Sequence, residues 1–205
     1  LLVSGKNKEG EQIDVPRVPA SMSGIMQRRL SLRNDDTGVK NFYLNRYFDT
    51  GDAVVYHPER TETLIVLDSQ HLRQMTPKSP ISRGALLLSL VRDEAFAIYE
   101  QLKKQPNVVV FKEGELGKVN EGLSRADVKV HPVLKVLARD QSLLDDSTDF
   151  IFGEYQMRFA KNTPLDDLRL MGVFPDSANG NTPEMRAWFV FGLEGRSSAG
   201  GWDGL

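Results

Sequence analysis

The chain of 205 residues contains no cysteine. Disulfides, thiolate zinc sites, iron–sulfur clusters and cysteine nucleophiles are therefore excluded. Histidine is scarce: His57, His71 and His131 are all there is, so mechanisms that need an imidazole base or ligand have few candidates. Long apolar runs are missing too. Runs such as Leu64 to Leu67 and Ala85 to Leu88 fall far below the ~20 residues a helix needs to cross a bilayer. Charge of one sign is not in excess either. Twenty-six Lys and Arg against 28 Asp and Glu leave a formal net charge of −2, which supplies no whole-chain attraction to nucleic acid or membranes. No internal repeat at a period of ~20 to 50 residues argues for a solenoid or propeller.

What is present suits a folded chain. Hydrophobic residues make up 40% and charged residues 26%, close to the globular average, so a packed core is within reach. One domain is the expected organisation at this length. The chain begins at Leu1 rather than Met, and further residues upstream are expected. A cytoplasmic location is the expectation from the absence of cysteine and of Asn-x-Ser/Thr sequons.

Residues 1–23 are polar and punctuated by proline and glycine, and read as an extended N-terminal arm. The segment from Pro16 to Ser23 reads as one that lies over a neighbour. From Val39 to Phe48 the apolar residues Phe42, Leu44 and Phe48 fall at spacing two, which predicts a half-buried strand. Asp52 to His57 and Thr63 to Leu67 are β-branched runs joined by a short loop with Pro58, the pattern of a β-hairpin. A short apolar strand follows over Gly84 to Leu88.

The clearest helix runs from about Leu90 to Gln105. Val91, Ala95, Ile98, Tyr99 and Leu102 repeat on one helical face, acids open it and lysines close it, and Pro106 ends it. A strand is predicted over Asn107 to Phe111. Pro132 opens a helix that continues over Val133 to Leu144, with helical character resuming through Phe150, Ile151, Tyr155 and Phe159. Thr163 to Gly172 has the end signals of another short helix. Met185 to Leu193 reads as a strand, and residues 195–205 as a flexible Gly/Ser-rich tail. Strands dominate the first half, helices follow, and a strand returns near the end. That order implies an α+β domain over residues 24–194, a mostly antiparallel or mixed sheet with helices packed on one face.

Three clusters carry chemistry worth testing. The first is Asp68, Ser69 and His71, placed just past an apolar strand. There a carboxylate could orient an imidazole as general base toward a serine nucleophile. No Gly-x-Ser-x-Gly elbow exposes that serine, and Asp and Ser commonly end strands in local turns. The second is the acidic stretch from Asp140 to Asp167, where Asp145 and Asp149 share a helix face. Acids at helix starts explain it without a metal, and no metal ligand is assigned.

The third is the basic front end. Residues 1–48 hold eight basic residues against five acids, and Arg28, Arg29, Arg33, Tyr43 and Tyr47 are the candidates for phosphate attraction and base stacking. Arg46 would face inward on the predicted strand, which weakens that surface. Gly114 and Gly117 have the outline of a nucleic-acid clamp, but the glutamates around them favour plain turns. No Gly-x-x-x-x-Gly-Lys-Ser/Thr or Gly-x-Gly-x-x-Gly cradle occurs, and no cofactor is expected.

Each catalytic lead stands alone and has a simpler structural explanation. The favoured reading is a non-catalytic binding or assembly module that contacts a protein partner or a second copy. Met22, Met26, Phe42 and Phe48 are candidates either for its apolar surface or, equally, for ordinary core. A hydrolase using Asp68, Ser69 and His71, or an acidic metal site, is the alternative. A nucleic-acid binder is the third reading, and no membrane contact is expected.

Overall fold

The structure, a computed structural model, describes residues 2–6, 12–16, 19–35, 38–45, 48–59, 61–76, 78–82, 85–117, 122–159 and 182–190. The order of elements is α+β. β1 (Leu2–Lys6) and β2 (Gln12–Pro16) are followed by α1 (Met22–Ser31), α2 (Gly38–Asn45), β3 (Phe48–Tyr56), β4 (Glu62–Val66) and α3 (Gln70–Arg73). Then come β5 (Ile81–Ser82), β6 (Ala85–Leu87), α4 (Arg92–Leu102), β7 (Val108–Lys112), α5 (Arg125–Val130), α6 (Pro132–Ala138), α7 (Gln141–Phe159) and β8 (Glu184–Val190). The chain divides into two compact units, each assembled from separated stretches of sequence.

The first unit comprises Leu1–Met22, Asp49–Leu116 and Pro175–Trp188. Residues 2–6 and 12–16 of the expected arm form a separate antiparallel pair, β1 with β2, in which Leu2 lies opposite Pro16 and Lys6 opposite Gln12. At Ala20 and Met22 the segment after it is hydrogen-bonded to its own chain. Gly51 N–H donates to Ala20 O at 2.9 Å, and Met22 N–H donates to Asp52 Oδ2 at 2.7 Å.

The main sheet has six strands in the order β5-β6-β8-β3-β4-β7. The predicted hairpin is present as β3 and β4, with Ala53 opposite Val66 and Tyr56 opposite Thr63. The β4–β7, β5–β6 and β6–β8 pairings are antiparallel as well. Central strands here must bury both faces, which is why both sets of alternating residues are apolar. Ala53, Val54, Val55, Leu64 and Ile65 are all 0% exposed. One face joins Ala53, Val55, Leu64 and Val66 to Tyr99 and Leu102 of α4, Leu72 of α3, Leu86 and Met185. α4 is the helix its periodicity predicts, although Val91 serves as its N-cap residue and is exposed.

The second unit comprises Ser23–Phe48, Gly117–Phe174 and Phe189–Leu205. In it α5, α6 and α7 pack on one another. Ser124 and Asp127 form a reciprocal capping box at the start of α5, which satisfies two amides that a helix start leaves open. Pro132 occupies the first turn of α6. The helical run predicted through Leu144 is broken at Arg139, which adopts a left-handed φ of 65°, and α7 restarts after it.

One sequence expectation fails in this unit. The predicted strand over Val39 to Phe48 is instead α2, with β3 starting only at Phe48. Spacing-two apolar residues over so short a window do not distinguish the two periods. Phe42 and Leu44 lie on different sides of the helix, 52% and 1% exposed. For Met22 and Met26, which the sequence left open between an apolar surface and ordinary core, the structure gives core: they are 6% and 5% exposed on α1. Met22, Ile25, Met26 and Leu32 make its apolar stripe, and the position between Met26 and Leu32 on that stripe is filled by Arg29.

Candidate functional site

Asp68, Ser69 and His71 lie in the turn between β4 and α3. Asp68 has a left-handed φ of 50°, and its N–H donates to Asp52 Oδ1 at 2.9 Å. Its carboxylate Oδ1 accepts from Arg73 Nη2 at 2.9 Å. Ser69 is 0% exposed and is the N-cap of α3: its Oγ accepts from Leu72 N–H at 3.4 Å and donates to Met185 Sδ at 3.2 Å. Burial holds the His71 imidazole below its ordinary value, so it is neutral at pH 7.

These positions are neighbours in the chain, but the hydrogen bonds they form do not link them as acid, base and nucleophile. The serine hydroxyl is spent on a helix cap and sealed from solvent. The aspartate is spent on an arginine. A buried carboxylate that sequence reading passed over, Asp52 at 0% exposure, organises the turn by accepting both the Met22 and the Asp68 amides. It sits mid-strand, where a lone acid gives no sequence signal of such a role.

Asp140, Asp145, Asp149 and Glu154 of the 140–167 stretch each have a hydrogen-bond or ion-pair partner. Asp145 accepts from Gln141 Nε2 at 2.8 Å. Asp149 accepts from Arg125 Nε at 2.6 Å and meets Lys129 Nζ at 2.7 Å. The Arg125 hydrogen bond, ahead of Lys129, holds its carboxyl below the usual range. Among the described residues no cluster of three His, Asp or Glu side chains is placed to hold a metal ion. The helix expected over Thr163 to Gly172 and the tail over 195–205 lie outside the described residues. Gly114 and Gly117 are turn glycines with φ of +84° and +77°. His131 is a buried residue ahead of α6, 3% exposed. His57 follows β3 and packs edge-on against Phe96 and Tyr99, its Nδ1 accepting from Glu59 N–H.

The basic front end forms the densest constellation, built from α1, α2 and α7. Arg28 is exposed, and its guanidinium carbon lies 5.7 Å from the Tyr43 ring centroid. Arg33 and Lys40 both lie over Phe150, at 6.0 Å and 5.6 Å. Lys40 Nζ pairs with Glu154 at 2.6 Å and donates to Arg33 O at 3.0 Å.

Arg29 is not on the surface that nucleic-acid contact would require. It is 1% exposed, with Nε donating to Tyr43 O at 3.0 Å and Nη2 without a hydrogen-bond partner. Burial lowers its pKa from the ordinary guanidinium range to about 10. Tyr47 and Arg46 lie outside the described residues. Beside this cluster Val39 and Phe42, three positions apart and so on one face of α2, are 43% and 52% exposed. Reading residues 39–48 as a strand hid that pairing.

Among the described residues no helix is long and apolar enough to cross a membrane. No protein-family model and no curated protein matches the chain. A solved structure described as "Accommodation of massive sequence variation in Nanoarchaeota by the C-type lectin fold" is similar to it, with a TM-score of 0.56, 12% identity, and coverage of 85% of this chain and 77% of that one. At that identity the likeness is one of fold: the chain's architecture resembles a C-type lectin fold.

Proposed function

We propose that the chain is a non-catalytic binding module that contacts a protein partner. The observation that carries this reading is the exposed apolar pair Val39 and Phe42 on α2, beside an arginine laid over an aromatic ring. Aromatic and arginine side chains dominate the energetics of protein interfaces, aromatics because they bring large contact area with few rotating bonds and arginine because its planar guanidinium both packs and donates several hydrogen bonds. The hydrolase reading has no comparable support, since Ser69 is sealed and capping and Asp68 is paired with Arg73. The structural neighbour's fold is described as accommodating massive sequence variation. A scaffold whose fold tolerates such change suits recognition by surface residues.

The test places a photo-crosslinking phenylalanine derivative at position 42 and, as a control, at exposed position 112, in extract of the source organism. The expected result is one defined polypeptide adduct from position 42, none from position 112, and the same adduct again with that polypeptide purified. No adduct from either position, or equal adducts from both, overturns the reading.

A further inference from the structure

β7 lies at one end of the six-stranded sheet, so one of its sides has no neighbouring strand. Its run Val108-Val109-Val110-Phe111 is β-branched and aromatic, uncharged and free of proline. Such a run on a sheet edge is the pattern that adds strands from other chains. The hydrogen bonds to β4 fix which groups point outward. Leu67 N–H donates to Asn107 O at 2.9 Å, and Glu113 N–H donates to Thr61 O at 3.1 Å. Thr63 lies opposite Phe111 and Ile65 opposite Val109, so the odd-numbered residues of β7 bond to β4. The amides and carbonyls of Val108, Val110 and Lys112 face the open side.

Most of these outward groups are already taken by the chain itself. Val108 N–H donates to Gln105 O at 3.2 Å. Lys112 is engaged twice by Glu115: its N–H donates to Glu115 Oε2 at 2.8 Å, and its carbonyl accepts from Glu115 N–H at 3.0 Å. The turn between them needs a positive φ, and Gly114 supplies it at +84°. Glu115 thus stands where a residue of an added strand would stand. Val110 is 37% exposed, and among the described residues its N–H and C=O have no partner.

We infer that Glu115 guards this edge, keeping β7 from pairing with β7 of a second copy. In an antiparallel pair about a two-fold axis at Val110, each Val110 would face the other, and Lys112 would face Val108 of the second copy. No like charges would be opposed. While Glu115 holds the Lys112 amide, only the Val110 groups can bond across. Once released, that amide can donate to the Val108 carbonyl of the second copy, and symmetry repeats the bond, which doubles the hydrogen bonds of the pair. The guard is the side-chain acceptor rather than its negative charge. This inference is independent of the binding-module reading.

The test is sedimentation velocity on the full chain, Glu115→Ala, Glu115→Gln and the double variant Glu115→Ala with Val110→Lys, from about 1 µM to 1 mM. All of these positions are exposed, and circular dichroism verifies that the variants keep the fold. Glutamine retains an acceptor oxygen at the same reach and removes the charge. Lysine at position 110 sets like charges directly opposite each other in the pair. The mass of Glu115→Ala should rise to about twice the parent's over this range, while Glu115→Gln and the double variant follow the parent. Hydrogen exchange at the Lys112 amide should quicken about tenfold or more in dilute Glu115→Ala, and exchange at the Val110 amide should slow as that variant associates.

A Glu115→Ala mass curve that matches the parent's overturns the inference. So does a Glu115→Gln variant that associates as strongly as Glu115→Ala, which would make charge repulsion the guard. Association of Glu115→Ala that persists with Val110→Lys uses another surface and overturns it as well.

Discussion

Replacing Arg29 by methionine is the most informative perturbation of the fold. Arg29 is 1% exposed, no carboxylate faces it among the described residues, and the lowering of its pKa to about 10 has burial as its cause. At 1.36 kcal/mol per pH unit, that depression corresponds to a penalty of about 3 kcal/mol for keeping the charge inside. Against it stands the Nε bond to Tyr43 O at 3.0 Å. Tyr43 lies in the last turn of α2, where carbonyls lack helical partners and a cation is favourable. A hydrogen bond from a charged donor contributes about 1.5–3 kcal/mol.

Methionine keeps the unbranched stem in the apolar stripe and removes both terms, so Arg29→Met is expected to be neutral or up to about 2 kcal/mol more stable, as when buried ions give way to apolar side chains. For a chain of this size that is up to about 8 °C in melting temperature. The sign of the pH effect follows from the depressed value. Below about 10 the group is protonated in both folded and unfolded chains, so the penalty is present in full at neutral pH. It fades only as pH rises above about 10 toward the ordinary guanidinium range. Urea unfolding at pH 6, 7.5 and 9 should therefore show the same difference between variant and parent at each pH. A loss of 2 kcal/mol or more, or a difference that changes between pH 6 and 9, would refute the premise that Arg29 is an uncompensated buried cation.

Other substitutions test the remaining joints. Asp52→Asn should cost about 2–4 kcal/mol in urea unfolding, because the new amide turns an N–H toward the Met22 or Asp68 donor; hydrogen exchange should quicken at those two amides first, and an unchanged midpoint would sink the idea. Glu62 is held below its ordinary value of 4.5, chiefly by the Lys103 hydrogen bond. Its contribution is present above pH 4.5 and lost as pH falls through the lowered native value, so Glu62→Gln should flatten the acid limb of the stability curve; an identical limb in both proteins counts against it. Gly117→Ala should destabilise more than Gly114→Ala. Both have positive φ, but a Cβ at Gly117 would lie 3.1 Å from His131 Nε2 and from Pro132 Cδ, whereas at Gly114 nothing lies within 4 Å. Equal thermal shifts for the two variants would contradict the contact.

Much of the fold was legible where a single period dominates. The β3–β4 hairpin, the short strand β6, α4 with its acidic start, β7, and the proline at the start of α6 all follow from local pattern and end signals. α1 and α2 were not legible, for different reasons. α1 carries an arginine in the middle of its apolar stripe, which breaks the pattern that would have revealed it. α2 is short, and its aromatic residues satisfy spacing two as well as they satisfy a helix. The candidate site suffered accordingly. Arg28, Arg33 and Tyr43 were picked out by composition, but Val39 and Phe42 become a surface only once residues 38–45 are a helix.

The amino-acid sequence by itself determined the α+β class, the strand-rich core and the exclusion of thiol chemistry, because these depend on composition and on local periodicity. Tertiary structure alone decided which polar groups are spent internally. Asp52, thirty residues from Met22, becomes the acceptor for that residue's amide; Ser69 meets Met185 from the far end of the chain; Arg29 goes inside while Arg28 beside it stays out. Those outcomes depend on long-range contacts and on the energetic cost of burying charge, and neither is encoded in the spacing of neighbouring residues.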